Sequence, residues 1–173
     1  MWTRLIRIFK HRWQSDSAVA RAVPPALLQK LATQVAHSEA GHSGEIRIYV
    51  EAGLPLSYLW QPASMAHITR ERALAMFGKL RVWDTAQNNG VLIYLLLAEH
   101  RIEIVADRGL NERVAPDTWP RMVASMSEAF KDGDFEGGLT RAVQEVSALL
   151  QHHFELQAGQ SNPNELPDAP LLR

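Results

Sequence analysis

Residues 91–98 form an unbroken apolar run, Val91-Leu92-Ile93-Tyr94-Leu95-Leu96-Leu97-Ala98. The run is far short of the ~20 residues that span a bilayer. Its length and composition predict a central strand covered on both faces. Glu99 and His100 supply a tight turn, and residues 101–107 return as a second strand, giving an antiparallel hairpin. Upstream, residues 45–51 alternate, with Ile46, Ile48 and Val50 on one face, which predicts a half-buried strand. A loop with Gly53, Pro55 and Pro62 follows. It leads to a helix capped at Thr69, with Ala73, Phe77 and Leu80 facing the core. Strand, helix, strand is a crossover, so the strands at 45–51 and 91–98 should run parallel.

Further helices flank this unit. Pro24 and Pro25 suit a helix start, and Leu27, Leu28, Leu31 and Val35 form a stripe that runs to about Ala40, with Gly41 as the stop. Asp117 is placed to cap a helix carrying Trp119, Met122, Val123, Met126 and Phe130. Asp132-Gly133-Asp134 reads as a turn with an N-cap. It opens a helix carrying Phe135, Leu139, Val143, Val146 and Leu150. The expected fold is α/β: a single three-layer α/β/α domain. Its mixed sheet holds a parallel crossover and an antiparallel hairpin, flanked by about four helices. A chain of 173 residues suits one such domain.

The ends differ from the middle. Residues 1–22 form a basic amphipathic segment, the folded domain covers 23–155, and 156–173 are rich in Gly, Ser, Asn and Pro and read as a disordered tail. Trp2, Leu5, Ile6 and Phe9 share one helical face up to about Gln14. Arg4, Arg7, Lys10, His11 and Arg12 interrupt what a signal peptide would keep apolar. Residues 1–14 are therefore expected to touch an anionic membrane surface weakly, or a partner. With no signal or spanning segment read, the expected location is the cytoplasm, peripheral to the inner membrane.

Composition excludes several chemistries. The chain has no cysteine, so disulfides, thiolate metal sites and thiol nucleophiles are ruled out. A formal charge of -1 argues against nucleic acid as a partner. His37, His42, His152 and His153 lack metal-ligand spacing. Ser38, Ser43 and Ser64 lack a nucleophile-elbow context. Arg70, Arg72, Lys79 and Arg81 read as the solvated face of a helix.

Topology gathers one candidate site. An antiparallel third strand ends beside the starts of the other two. This brings Glu45, Asp84, Asn88, Asn89 and Asp107 to one edge of the sheet. Their carboxylate and amide oxygens are hard donors suited to Ca2+ or Mg2+. Gly90 and Gly109 would let backbone carbonyls approach. Ordinary loop chemistry is the competing reading: Asp84 ends a helix, Asn88-Asn89-Gly90 is a turn, and Asp107 pairs with an arginine.

Four stretches carry a family resemblance. They are Ser43-Gly44-Glu45-Ile46-Arg47, Trp83-Asp84 through Asn88-Asn89-Gly90-Val91-Leu92-Ile93-Tyr94, residues 102–117, and Phe130-Lys131-Asp132-Gly133-Asp134-Phe135-Glu136-Gly137-Gly138-Leu139. In order and spacing they resemble the TPM domain family over roughly residues 24–154. That family includes plant thylakoid-lumen proteins of photosystem repair, a nematode acetylcholine-receptor modulator and many bacterial proteins. The match is to its short bacterial branch. The resemblance implies a calcium-binding interaction module whose partner is a membrane protein or a second TPM protein. The alternative it implies is a metal-dependent acid phosphatase acting on phosphomonoesters. The stretch Asp107-Arg108-Gly109-Leu110-Asn111 departs from the pattern of the anchored members, with Asp107 in place of a glycine and Asn111 in place of a glutamate.

Overall fold

The computed structural model describes residues 2–13, 16–157, 159–160 and 162–173. Its central strand, β2 (Val91–Leu96), is buried at every position. β1 (Ile46–Glu51) pairs with it in parallel, from Ile46 opposite Val91 to Glu51 opposite Leu96. β3 (Arg101–Ala106) pairs on the other side, antiparallel, from Val91 opposite Ala106 to Leu96 opposite Arg101. A 3-10 turn at Leu97–Glu99, closed by His100 at φ 49°, makes the hairpin. Crossover and hairpin are as the sequence predicts.

Helices cover both faces. One face of the sheet presents Ile46, Ile48, Val50, Ile93, Leu95 and Ile104. It packs on α3 (Pro25–Glu39), α7 (Thr118–Lys131) and α8 (Phe135–Phe154), with Val19 of α2 (Asp16–Ala22) at its margin. The other face presents Tyr49, Leu92, Tyr94, Leu96 and Val105. It packs on α5 (Met65–Lys79) through Ile68, Ala73 and Met76, and on Leu59 of the single-turn α4 (Leu56–Leu59). The four long helices α3, α5, α7 and α8 match the expected number. The sequence reading did not resolve α2, α4 and the single-turn α6 (Arg108–Asn111). α1 (Trp2–Arg12) closes the list; the side chains of Trp2 and Leu5, and all of Gln14, lie outside the described residues.

Several local expectations are corrected. β1 is buried on both faces rather than half-buried: on its polar side Glu51 meets Arg72 of α5, Tyr49 stacks on Tyr94, and Arg47 reaches the C-terminal segment. α5 begins at Ser64, whose hydroxyl accepts from the His67 N–H at 3.2 Å. Thr69 sits a turn later, buried, and donates to Met65 O at 2.7 Å. Asp117 makes no capping hydrogen bond and instead pairs with Arg121 at 3.0 Å. Asp134 caps α8 as expected, accepting from Gly137 N at 2.8 Å.

Arg72 is not on a solvated face. Its Nε and Nη2 donate to the two Glu51 oxygens at 2.9 and 2.7 Å, both residues being buried. The Tyr94 hydroxyl donates to Glu51 Oε2 at 2.8 Å, and Tyr49 stacks on Tyr94 at 5.8 Å. A buried charge is tolerable only when paired in this way.

The C-terminal segment is the largest correction. It was expected to be disordered, yet Leu171–Leu172 form β4, pairing in parallel with Tyr49 and Val50 of β1. Ala52 N donates to Arg173 O at 2.7 Å and Arg173 N to Val50 O at 2.9 Å. The strand order is therefore β3-β2-β1-β4. Arg47 reaches the same segment and donates to the carbonyls of Pro167 and Ala169.

Arg72→Ala strands the Glu51 carboxylate, and about 3–5 kcal/mol of stability should be lost in urea unfolding. Replacing both partners, Arg72→Met with Glu51→Gln, should recover more than half. A single-variant loss below about 1 kcal/mol, typical of a surface pair, would show that the pair is solvated.

Candidate functional site

The register brings Glu45, Gly90 and Asp107 into one row at the end of the sheet. Val91 N donates to Glu45 O at 2.8 Å, and Asp107 N donates to Gly90 O at 2.9 Å. Glu45 and Asp107 thus flank Gly90 as the topology predicts. Gly90 is required by the space above it, because a Cβ there would overlap the Val82 carbonyl oxygen. That carbonyl lies over the middle of the row, between the two carboxylate-bearing positions.

The five predicted oxygen donors divide into two groups. Asp84 pairs with Arg81, three residues back, and its N–H donates to the Arg81 carbonyl at 2.9 Å. Asn88, at φ 52°, accepts from Arg108 Nη2 at 3.1 Å through Oδ1 and from Gly109 N at 2.8 Å through its carbonyl. Asp84 is thus engaged within its own loop, and Asn88 by the first residues of α6. The other three each keep an oxygen that receives no hydrogen bond: Glu45 Oε1, Asn89 Oδ1 and Asp107 Oδ2, all buried. Glu45 otherwise accepts from Leu166 N at 3.0 Å. Asn89 donates to Ser43 Oγ at 3.1 Å, and Asp107 caps α6 by accepting from Arg108 N at 2.7 Å. Among the described residues, no group of three or more His, Asp or Glu side chains is arranged to hold an ion.

Glu45 turns toward a different set of acids, which the sequence reading missed. Burial raises its pKa, and Glu165 and Asp168 of the C-terminal segment add to the effect. Glu39, at the end of α3, is 7% exposed and accepts from Ile46 N at 2.8 Å. Burial pushes its carboxyl up to about 8, with Glu45 and Asp168 adding and the Ile46 N–H opposing. The sequence did carry a signal for Glu39. It continues the series Leu27, Leu31, Val35 at four-residue steps, the buried face of α3. Asn162 fastens the C-terminal segment here by donating to His42 O at 3.1 Å.

One histidine contact was also unforeseen. Ser38 Oγ and His42 Nε2 lie 2.6 Å apart, and His42 is buried, which lowers its pKa. Four residues separate the pair, and the contact ties the end of α3 to the segment entering β1. Ser38 also borders an open groove between α3 and α8, with Gln34, Gln144 and Gln151.

The comparisons with known proteins agree with this architecture. A family model described as the TPM domain matches residues 19–149, well over half of the chain. The chain belongs to the TPM domain family. Its fold is similar to the NMR structure of BA42 from the psychrophilic bacterium Bizionia argentinensis, at a TM-score of 0.72 and 24% identity. That match covers 87% of this chain and 95% of BA42. It is also similar to the solution structure of the N-terminal domain of a protein from P. gingivalis, at a TM-score of 0.59 and 21% identity. That match covers 80% of this chain and 85% of the other. No curated protein matches the sequence.

The Glu39 shift has a sign that can be checked. A carboxyl whose folded pKa lies above its unfolded value adds stability below pH ~4.5 that is lost as pH rises through about 8. The TPM domain should therefore lose a few kcal/mol in urea between pH 5 and 8.5. Glu39→Gln keeps the acceptor for Ile46 N and should flatten most of that slope. An unchanged slope in the variant would assign it to other groups.

Proposed function

We propose that this TPM domain is a non-catalytic binding module that takes up a divalent cation, Ca2+ or Mg2+, at the strand ends. In this reading it works beside a membrane protein or a second TPM protein, peripheral to the inner face of the membrane. The observation that carries the cation reading is the set of three buried acceptors without donors, at Glu45, Asn89 and Asp107. A buried polar atom left unpaired costs about 1–3 kcal/mol, and an ion or a water is the usual explanation.

Asp107 is the anchoring carboxylate in this proposal. Burial and acidic neighbours strengthen the hold of Glu45 on a proton, so Glu45 would join a site only by releasing it. The Val82 carbonyl over Gly90 argues against one cage shared by both carboxylates. One carboxylate with amide and carbonyl oxygens implies weak binding, on the order of 10⁻⁴–10⁻³ M. The phosphatase alternative needs the same ion with an open position for water, so it depends on this binding. The described residues include no helix long and apolar enough to cross a membrane.

Titration of 15N-labelled protein with Ca2+ and Mg2+ checks the proposal. Amide shifts should centre on residues 88–90 and 107–109 and vanish in Asp107→Asn. The absence of shifts at ~10 mM cation, well above the weak range, would sink the cation reading and the phosphatase reading with it.

A further inference from the structure

α1 is mounted on the domain with its apolar stripe facing outward. Its inner side is held by specific contacts. His11 is buried, its Nδ1 accepts from Leu54 N at 3.0 Å, and its Nε2 lies 3.0 Å from Glu99 Oε1. Lys10 Nζ lies 3.1 Å from the same oxygen, and Arg7 Nη1 donates to Ala63 O at 3.3 Å. Ile8 packs on the α5 side of the core. A Cβ at Gly53 would lie 2.6 Å from His11 O, so the end of α1 rests directly on that glycine. These contacts fix the helix rotation. They leave Ile6, Phe9 and Trp13 outward, at 62%, 61% and 73% exposure. The three fall at i, i+3 and i+7, and the Phe9 and Trp13 rings are 4.5 Å apart. α4 packs against α1 and adds two more exposed apolar side chains, Leu56 and Trp60.

We propose that this surface, the outer face of α1 with the neighbouring α4, docks on an anionic lipid bilayer. Charge selects the occupant. Residues 2–13 include Arg4, Arg7, Lys10 and Arg12 and no Asp or Glu; Glu99, which meets Lys10 and His11, offsets one of these charges and leaves the segment cationic, while the whole chain carries -1, so the rest is net acidic. A cationic patch on an acidic body orients the molecule toward a negative surface. An interfacial helix needs an apolar face beside cations, with aromatic rings at headgroup depth. A second copy would oppose cations to cations. The contact needs no bound ion, so it stands apart from the cation reading.

The test is cosedimentation of the full chain, in EDTA, with vesicles of phosphatidylglycerol and phosphatidylcholine at 1:1, or of phosphatidylcholine alone. Binding is expected to the mixed vesicles with a blue shift of tryptophan emission. It should fall about tenfold on phosphatidylcholine alone or in high salt. The combined Ile6→Ser, Phe9→Ser and Trp13→Ser variant should lose about tenfold with unchanged circular dichroism. Arg12→Glu gives a second arm that leaves the apolar face intact, and it should also weaken binding. No binding to mixed vesicles, or binding untouched by both variants, would overturn the proposal. So would a lipid-free dimer abolished by the same serine substitutions, which would assign the face to a second copy.

Discussion

The parallel pairing of β1 with β2 is the constraint on which the remaining elements depend. A parallel pair cannot be closed by a short turn, so the chain must leave the sheet and cross over a face. α4 and α5 make that crossover and become one layer. Pairing also leaves one edge of each strand with unmet backbone groups. β3 satisfies the outer edge of β2 through a local hairpin. The outer edge of β1 is met only by the C-terminal segment, through β4.

The two layers do different work. The α3, α7 and α8 side is a continuous aliphatic and aromatic core, and its packing supplies most of the buried apolar surface. The α5 side is thinner and carries the polar residues of β1. Arg47 binds carbonyls of the C-terminal segment, Tyr49 stacks on Tyr94, and Glu51 holds Arg72. These contacts are directional, so they set how the crossover and the C-terminal segment sit on the sheet. Of the candidate site, Glu45 lies where the C-terminal segment meets the sheet, accepting from Leu166 N.

The legible part of the sequence was the locally encoded part. The 91–98 run, the alternation of Ile46, Ile48 and Val50, and the Asp134 cap are each decided within a few residues, and each was read. Arg72 was misread because its burial depends on Glu51, 21 residues away, which no periodicity reports. The end of the C-terminal segment, residues 166–173, was misread because backbone groups hold it. The Leu166 N–H reaches Glu45, and carbonyls of Pro167 and Ala169 accept from Arg47. Every residue type offers such groups, so composition is silent about them. The site was partly legible. Topology placed Glu45 and Asp107 in one row, but the Val82 carbonyl over Gly90 and the Arg108 contact to Asn88, 20 residues away, are tertiary facts.

The edge closed by β4 has a consequence for how the chain is made. Arg47 and Ala169 are separated by 122 residues in sequence, so β1 is synthesised long before its outer neighbour. For that interval the strand is an open edge, the feature by which nascent chains pair wrongly with one another. A charged side chain on such an edge discourages intruding strands. Arg47, the second residue of β1, is the charged side chain near the start of this strand, and it is also the residue that receives the C-terminal segment. One side chain thus guards the edge during synthesis and fastens it afterwards.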